Sequence, residues 1–126
     1  MPLLNESSAI VVIASLANDA EPTTYDELIA STLRRTTWIH LHLGYATAQS
    51  GNPEARIDIA TGLVNEEQDL IPDLGAHYTG GTGNAGMGHI CTSFPFVIEA
   101  GVRLSARVRA DVSGARNFNI AIRLIQ

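Results

Sequence analysis

From Val102 onward, apolar residues take every second position: Val102, Leu104, Ala106, Val108, Ala110 and Val112. Arg103, Ser105, Arg107, Arg109 and Asp111 fill the places between them. Successive side chains of an extended strand point to opposite sides, so this period predicts a strand with one face buried and one wet. After Ser113-Gly114 the alternation resumes, with Phe118, Ile120, Ile122 and Leu124 on one side. Asn117, Asn119, Ala121, Arg123 and Ile125 take the other. Closed as an antiparallel hairpin about Gly114, the two strands would set Leu104 against Leu124, Ala106 against Ile122, Val108 against Ile120 and Ala110 against Phe118. A slip of one residue would turn arginines into the core, so pattern and turn predict the same register.

Shorter pieces of the same pattern fill the rest of the chain. Ser8–Leu16 carries the β-branched run Ile10-Val11-Val12-Ile13, which suits a strand covered on both sides or lying at a subunit contact. Asn18–Pro22 is turn chemistry. Tyr25–Thr32 fits either a short helix or a strand, and we expect a strand. Thr36–Tyr45 alternates cleanly: Ile39, Leu41, Leu43 and Tyr45 share one face, Trp38, His40, His42 and Gly44 the other. Ala55–Thr61 reads as a short strand. Leu63–Leu74 is acidic, and Ile71-Pro72 confines it to a sheet edge or a loop. Gly75–Gly88 is glycine-dense and predicts a long loop; His89–Glu99 predicts a strand bent at Pro95, turning at Ala100-Gly101.

Roughly eight short strands with no long helical pattern predict an all-β fold, an antiparallel two-sheet sandwich of jelly-roll type. Spacing alone does not separate a sandwich from a barrel. The expected organisation is a single domain over residues 1–126, with residues 1–8 as an N-terminal arm.

Composition narrows the chemistry. The single Cys91 cannot form an intramolecular disulfide, the start has no basic segment, and the apolar run Ala9–Ala17 is too short for a bilayer. Synthesis and folding in a cytoplasm, with no membrane partner, is the expectation. A formal net charge of −5 disfavours a nucleic-acid partner, since neutralising phosphates takes clustered cations. All eight basic residues are arginine. The lack of lysine excludes Schiff-base and Walker-type mechanisms.

Several groups invite a catalytic or metal reading. His40 and His42 share a strand face, so both imidazoles could reach one ion, as in the HxH pair of cupins. A cupin would place a glutamate four or five residues on, where this chain has Ala46 and Thr47. His77 and His89 are the further imidazoles; histidines on a polar or interface face are the plainer interpretation. Gly81-Thr82-Gly83-Asn84-Ala85-Gly86 fits GxGxxG but leads into an extended segment rather than the helix a dinucleotide site requires. Glu66, Asp69 and Asp73 lack the regular spacing of a calcium loop. Cys91 has only His89 nearby in sequence as an activating neighbour. No catalytic residue and no cofactor is expected.

The arginine face carries the functional expectation. Arg103, Arg107 and Arg109 project from one strand, and the predicted hairpin would bring Arg123 beside them. An ordinary solvated face would look the same; a docking surface for an acidic partner would use arginine because its planar fork binds carboxylates bidentately. Trp38 and Ile125, apolar at outward positions, suit subunit contacts.

The stretch Phe94–Val108 resembles the P-x-x-I-P-A-G-x-R-I-x-A-R segment of small β-sandwich accessory proteins of tailed bacteriophages, with Glu99 where proline would stand. That resemblance implies a non-enzymatic virion protein, a head decoration (cement) subunit that binds the major capsid protein on the outer surface and forms a homotrimer. It also implies an alternative, a receptor- or glycan-binding fibre module using Trp38, Tyr45 and the Gly80–Gly88 loop.

Overall fold

The alternating segments do form strands, and they divide between two layers. The computed structural model describes residues 6–16, 18–45, 54–77, 90–111 and 116–126. Its strands are β1 (Glu6–Ser7), β2 (Val11–Ala14), β3 (Asp26–Ile29), β4 (Trp38–Tyr45) and β5 (Glu54–Thr61), then β6 (Gln68–His77), β7 (Ile90–Phe94), β8 (Leu104–Ala110) and β9 (Asn117–Ile125). One sheet runs β1–β9–β4–β7, with β2 also paired to β9; the other runs β3–β8–β5–β6. All the strand pairings are antiparallel.

Both β1 and β2 hang on β9, at Glu6↔Leu124 and Val11↔Ile120, so together they make one interrupted edge. Counted that way, two four-stranded layers face each other. From β2 onward the chain changes layer at every connection except β5 to β6. That crossing pattern is a jelly roll.

Each strand turns one face inward. Ile39, Leu41 and Leu43 of β4 and Phe118, Ile120, Ile122 and Leu124 of β9 meet Ile57 and Ile59 of β5 and Leu104, Ala106 and Val108 of β8 in a single core, none more than 1% exposed. Burying each large side chain stabilises the fold by about 1.5–3 kcal/mol relative to leaving it in water.

The predicted β8–β9 hairpin does not form. β8 pairs with β3 and β5, whereas β9 pairs with β1, β2 and β4. The inward sets are those expected, but they enter the core from opposite layers rather than side by side. A period of two specifies which face is buried, not which strand lies alongside. The adjacent hairpin is instead β5–β6. Within the segment expected as an arm, Glu6 and Ser7 pair with β9 as β1; residues 1–5 lie outside the described residues.

Pro72 is on an edge strand, as its missing N–H requires. The β5–β6 register shifts between Ile57 and Ala60, and Asp73 just after the proline takes a positive φ of 51°. The N–H of Asp73 is satisfied by Asp58 Oδ1 at 2.7 Å, so a β5 carboxylate closes the irregularity.

Candidate interaction surfaces

The outer face of the β3–β8–β5–β6 sheet holds three of the four predicted arginines. Arg103, only 8% exposed, donates from Nε to Glu27 at 2.9 Å and from Nη1 to Glu67 at 3.0 Å and to the Gly62 carbonyl at 3.3 Å. Arg107 donates from Nε to Asp58 Oδ2 at 2.8 Å and from Nη1 to the Pro22 carbonyl at 3.0 Å. It also pairs with Glu21, and its guanidinium carbon lies 4.5 Å from the centroid of the Tyr25 ring. Arg109 pairs with Asp73, with Asp19 at 3.7 Å, and Asp19 also meets Arg56 at 3.2 Å.

Burial alone would lower the pKa of Arg103 and Arg107; hydrogen bonds to Glu27 and Glu67, and to Asp58, more than offset it and leave both raised. These guanidiniums are permanently charged and already matched by the protein's own carboxylates. Their geometry ties the loops over this sheet to it.

The same lattice makes the two layers electrically unlike. Asp19 and Glu21 before β3, Asp26 and Glu27 in β3, Glu54 and Asp58 in β5, Glu66 and Glu67 in the β5–β6 turn, Asp69 and Asp73 in β6 and Asp111 after β8 all belong to this half. Against these eleven carboxylates stand four arginines, a balance of −7. The remaining charges are Glu6, Glu99, Arg34, Arg35, Arg116 and Arg123, a balance of +2.

Arg123 lies on the opposite layer, so the four-arginine face is not assembled. It sits on the outer face of β9, opposite Ser7 of β1 and His40 of β4, exposed and in no ion pair among the described residues. Around it this face is nearly free of charge. Trp38, 45% exposed, is the cross-strand partner of Ile125; Ala121 opposes His42, and Val12 opposes Asn119 at the edge, 56% exposed.

His40 and His42 share this face, as their spacing requires. Arg123 flanks His40 on one side and Ser93 on the other, whose Oγ lies 3.3 Å from His40 Nδ1; Cys91, exposed, opposes His42. A guanidinium beside the imidazole repels a cation, and among the described residues no three His, Cys, Asp or Glu side chains converge as a metal site. His77 is in β6 of the other sheet, and His89 and the Gly81–Gly86 motif lie outside the described residues. Asp69 and Asp73 are engaged by Tyr25 and Arg107 and by Arg109. Tyr45 ends β4 opposite Phe118, while Gly80–Gly88 again lies outside the described residues.

One open cleft of about 400 Å³ was not visible in the sequence. Thr23, Thr24 and Tyr25 form one wall, Val64, Asn65 and Glu67 the other, and Arg107 reaches it from the sheet. Its walls come from two turns far apart in the chain, and no periodicity links them.

No protein-family model matches the chain, and no curated protein matches it in sequence. Solved structures do share its architecture. A T13 particle of infectious bursal disease virus aligns over 98% of this chain and 31% of the viral one, at 9% identity and a TM-score of 0.50. Tripeptidyl peptidase 2 aligns over 97% of this chain and 10% of its own, at 13% identity and the same TM-score. Eiger TNF from S. frugiperda aligns over 100% and 94%, at 8% identity and a TM-score of 0.47. The likeness is one of fold. This chain spans about a third of the viral chain and a tenth of the peptidase, so each of those is a larger molecule that contains such a sandwich.

Proposed function

We propose that this chain is a non-catalytic structural protein of a virion, a decoration subunit that docks on the outer surface of a tailed-phage head through the outer face of β2–β9–β4–β7. The carrying observation is the contrast between the two faces. On one, every arginine is matched internally; on the other, Trp38 and Val12 are exposed, Ile125 is half-buried beside Trp38, and Arg123 is in no ion pair among the described residues. An exposed tryptophan and an arginine within a surface poor in charge are the aromatic and arginine anchors that protein contacts use. Arg123 would meet a carboxylate of the major capsid protein, and repetition across a lattice would make weak single contacts sufficient. The acidic half would then face solvent.

The jelly roll and the Phe94–Val108 resemblance support this reading. Within that stretch Gly101 has φ +83°, which glycine tolerates, and Arg103 and Arg107 hold the sheet's outer face closed, so its distinctive residues serve the fold. The test is the protein content of purified particles from the host that carries the gene. Many copies per head, released together by chaotrope, are expected; absence from the particles overturns the proposal.

A further inference from the structure

The cleft on the acidic layer lies on the face opposite the proposed docking surface, and its chemistry is independent of that reading. Small groups line it: two threonine hydroxyls, the Asn65 amide and the Glu67 carboxylate, with the Tyr25 ring and Val64 as the apolar parts. Arg107 and Arg103 are its nearby cations, but Glu21, Glu27, Asp58, Glu67 and Asp69 surround them. The local balance is negative, which repels phosphate, sulfate and carboxylate ligands. One carboxylate among the lining residues, already held by Arg103, is too few for a metal ion. The volume suits one or two sugar rings rather than a folded segment of another protein.

We infer that this cleft is a binding site for a neutral saccharide, whose hydroxyls exchange hydrogen bonds with Thr23, Thr24, Asn65 and Glu67 while its apolar edge rests on Tyr25 and Val64. The site binds without cleaving. Glycoside hydrolysis needs two carboxyl groups flanking the bond, one of them protonated. Among the described residues Glu67 is the one carboxylate lining the cleft: burial raises its pKa, but hydrogen bonds from the backbone and from Arg103 more than offset this and leave it lowered.

Backbone amide NMR titration of the full chain tests this with glucose, galactose, mannose, xylose and N-acetylglucosamine, their β-linked disaccharides, and glucuronic acid. Expected are saturable shifts at Thr24, Tyr25 and Asn65 with at least one neutral sugar, in the millimolar range or tighter, and weaker binding of glucuronic acid. Asn65→Gly suits the positive φ of 68° at this position, so it removes the amide without backbone strain. It should weaken binding about tenfold, the loss expected for one good hydrogen bond. Trp38→Glu should leave sugar binding unchanged, which separates failure here from failure of the docking proposal. No saturable shift with any neutral sugar, shifts clustered around Trp38 instead, undiminished binding by Asn65→Gly, or tighter binding of glucuronic acid would each overturn the site.

Discussion

Asp58 and Arg107 oppose each other directly across β5 and β8, Oδ2 to Nε at 2.8 Å, while the second Asp58 oxygen accepts the N–H of Asp73 at 2.7 Å. One carboxylate, 6% exposed, thus joins the central pair of strands to the irregular edge strand. Removing it takes the Nε partner from a mostly buried guanidinium and leaves an edge N–H unpaired. Asp58→Ala should destabilise the fold by about 3 kcal/mol, and Asp58→Asn by less, because the amide oxygen still accepts from Asp73. Urea midpoints at unchanged m-value measure this; a loss below about 0.5 kcal/mol for Asp58→Ala would show that the pair is replaceable by water.

The division of labour between arginines gives a second prediction. Arg107→Glu adds a carboxylate beside Glu21, Asp58 and Asp69 and should cost more than about 3 kcal/mol, so its effect on any partner is an unfolding effect. Arg123→Glu lies on an exposed strand face and should change stability by less than about 0.5 kcal/mol. Cosedimentation with phage heads should nevertheless fall about tenfold, and Trp38→Glu should behave alike. Wild-type particle binding by a folded Arg123→Glu protein would remove that residue from the docking face.

Two glycines separate backbone need from free space. Gly62 opens the β5–β6 turn with φ +122°, and a Cβ there would lie 2.6 Å from the Glu66 carbonyl oxygen. Gly62→Ala should cost about 1–3 kcal/mol and loosen Glu67 from Arg103, as both sit on that turn. Gly75 in β6 has no left-handed φ, and a methyl group on its Cα would meet nothing within 4 Å. Gly75→Ala should be neutral or stabilise by up to about 1 kcal/mol. Thermal melts of the two variants side by side decide it.

These residues show what the sequence made legible. Leu104, Ala106, Val108 and Ala110, and Phe118 to Leu124 at every second place, announced their burial by periodicity, and Pro72 announced an edge. Partner strands were not announced, because each inward face is equally satisfied by a neighbour in its own layer or by the layer opposite. The Arg123 misplacement follows from that single ambiguity. Charge pairing was hidden for a related reason: Arg107 meets Glu21, Asp58 and Asp69, residues separated from it by 38 to 86 positions. The cleft was hidden too, since turns carry no repeat that signals what they face.

Tyr25 provides a test in alkaline solution that few proteins allow so cleanly. Burial raises its pKa first, the hydrogen bond it donates to Asp69 at 2.7 Å raises it further, and the Arg107 charge only partly opposes them, so the folded value stands well above the ordinary 10.0. A raised folded pKa means that the neutral phenol stabilises the native state. That contribution is fully present below about pH 10 and is lost as the pH climbs through the ordinary value toward the folded one. With no lysine in the chain, few other side chains titrate there, and Arg103 and Arg107 stay charged. Wild-type stability should therefore fall steeply above about pH 10, whereas Tyr25→Phe, less stable at neutral pH for want of the Asp69 hydrogen bond, should fall less. Ultraviolet titration of the three tyrosines should show one ionising last, and that step should vanish in Tyr25→Phe. At the acid end the sign reverses for Glu67: its lowered pKa gives stability that is present above the ordinary glutamate value of 4.5 and lost as the pH falls below it. Parallel alkaline limbs for wild type and Tyr25→Phe would mean that the phenol is as free to ionise as in the unfolded chain.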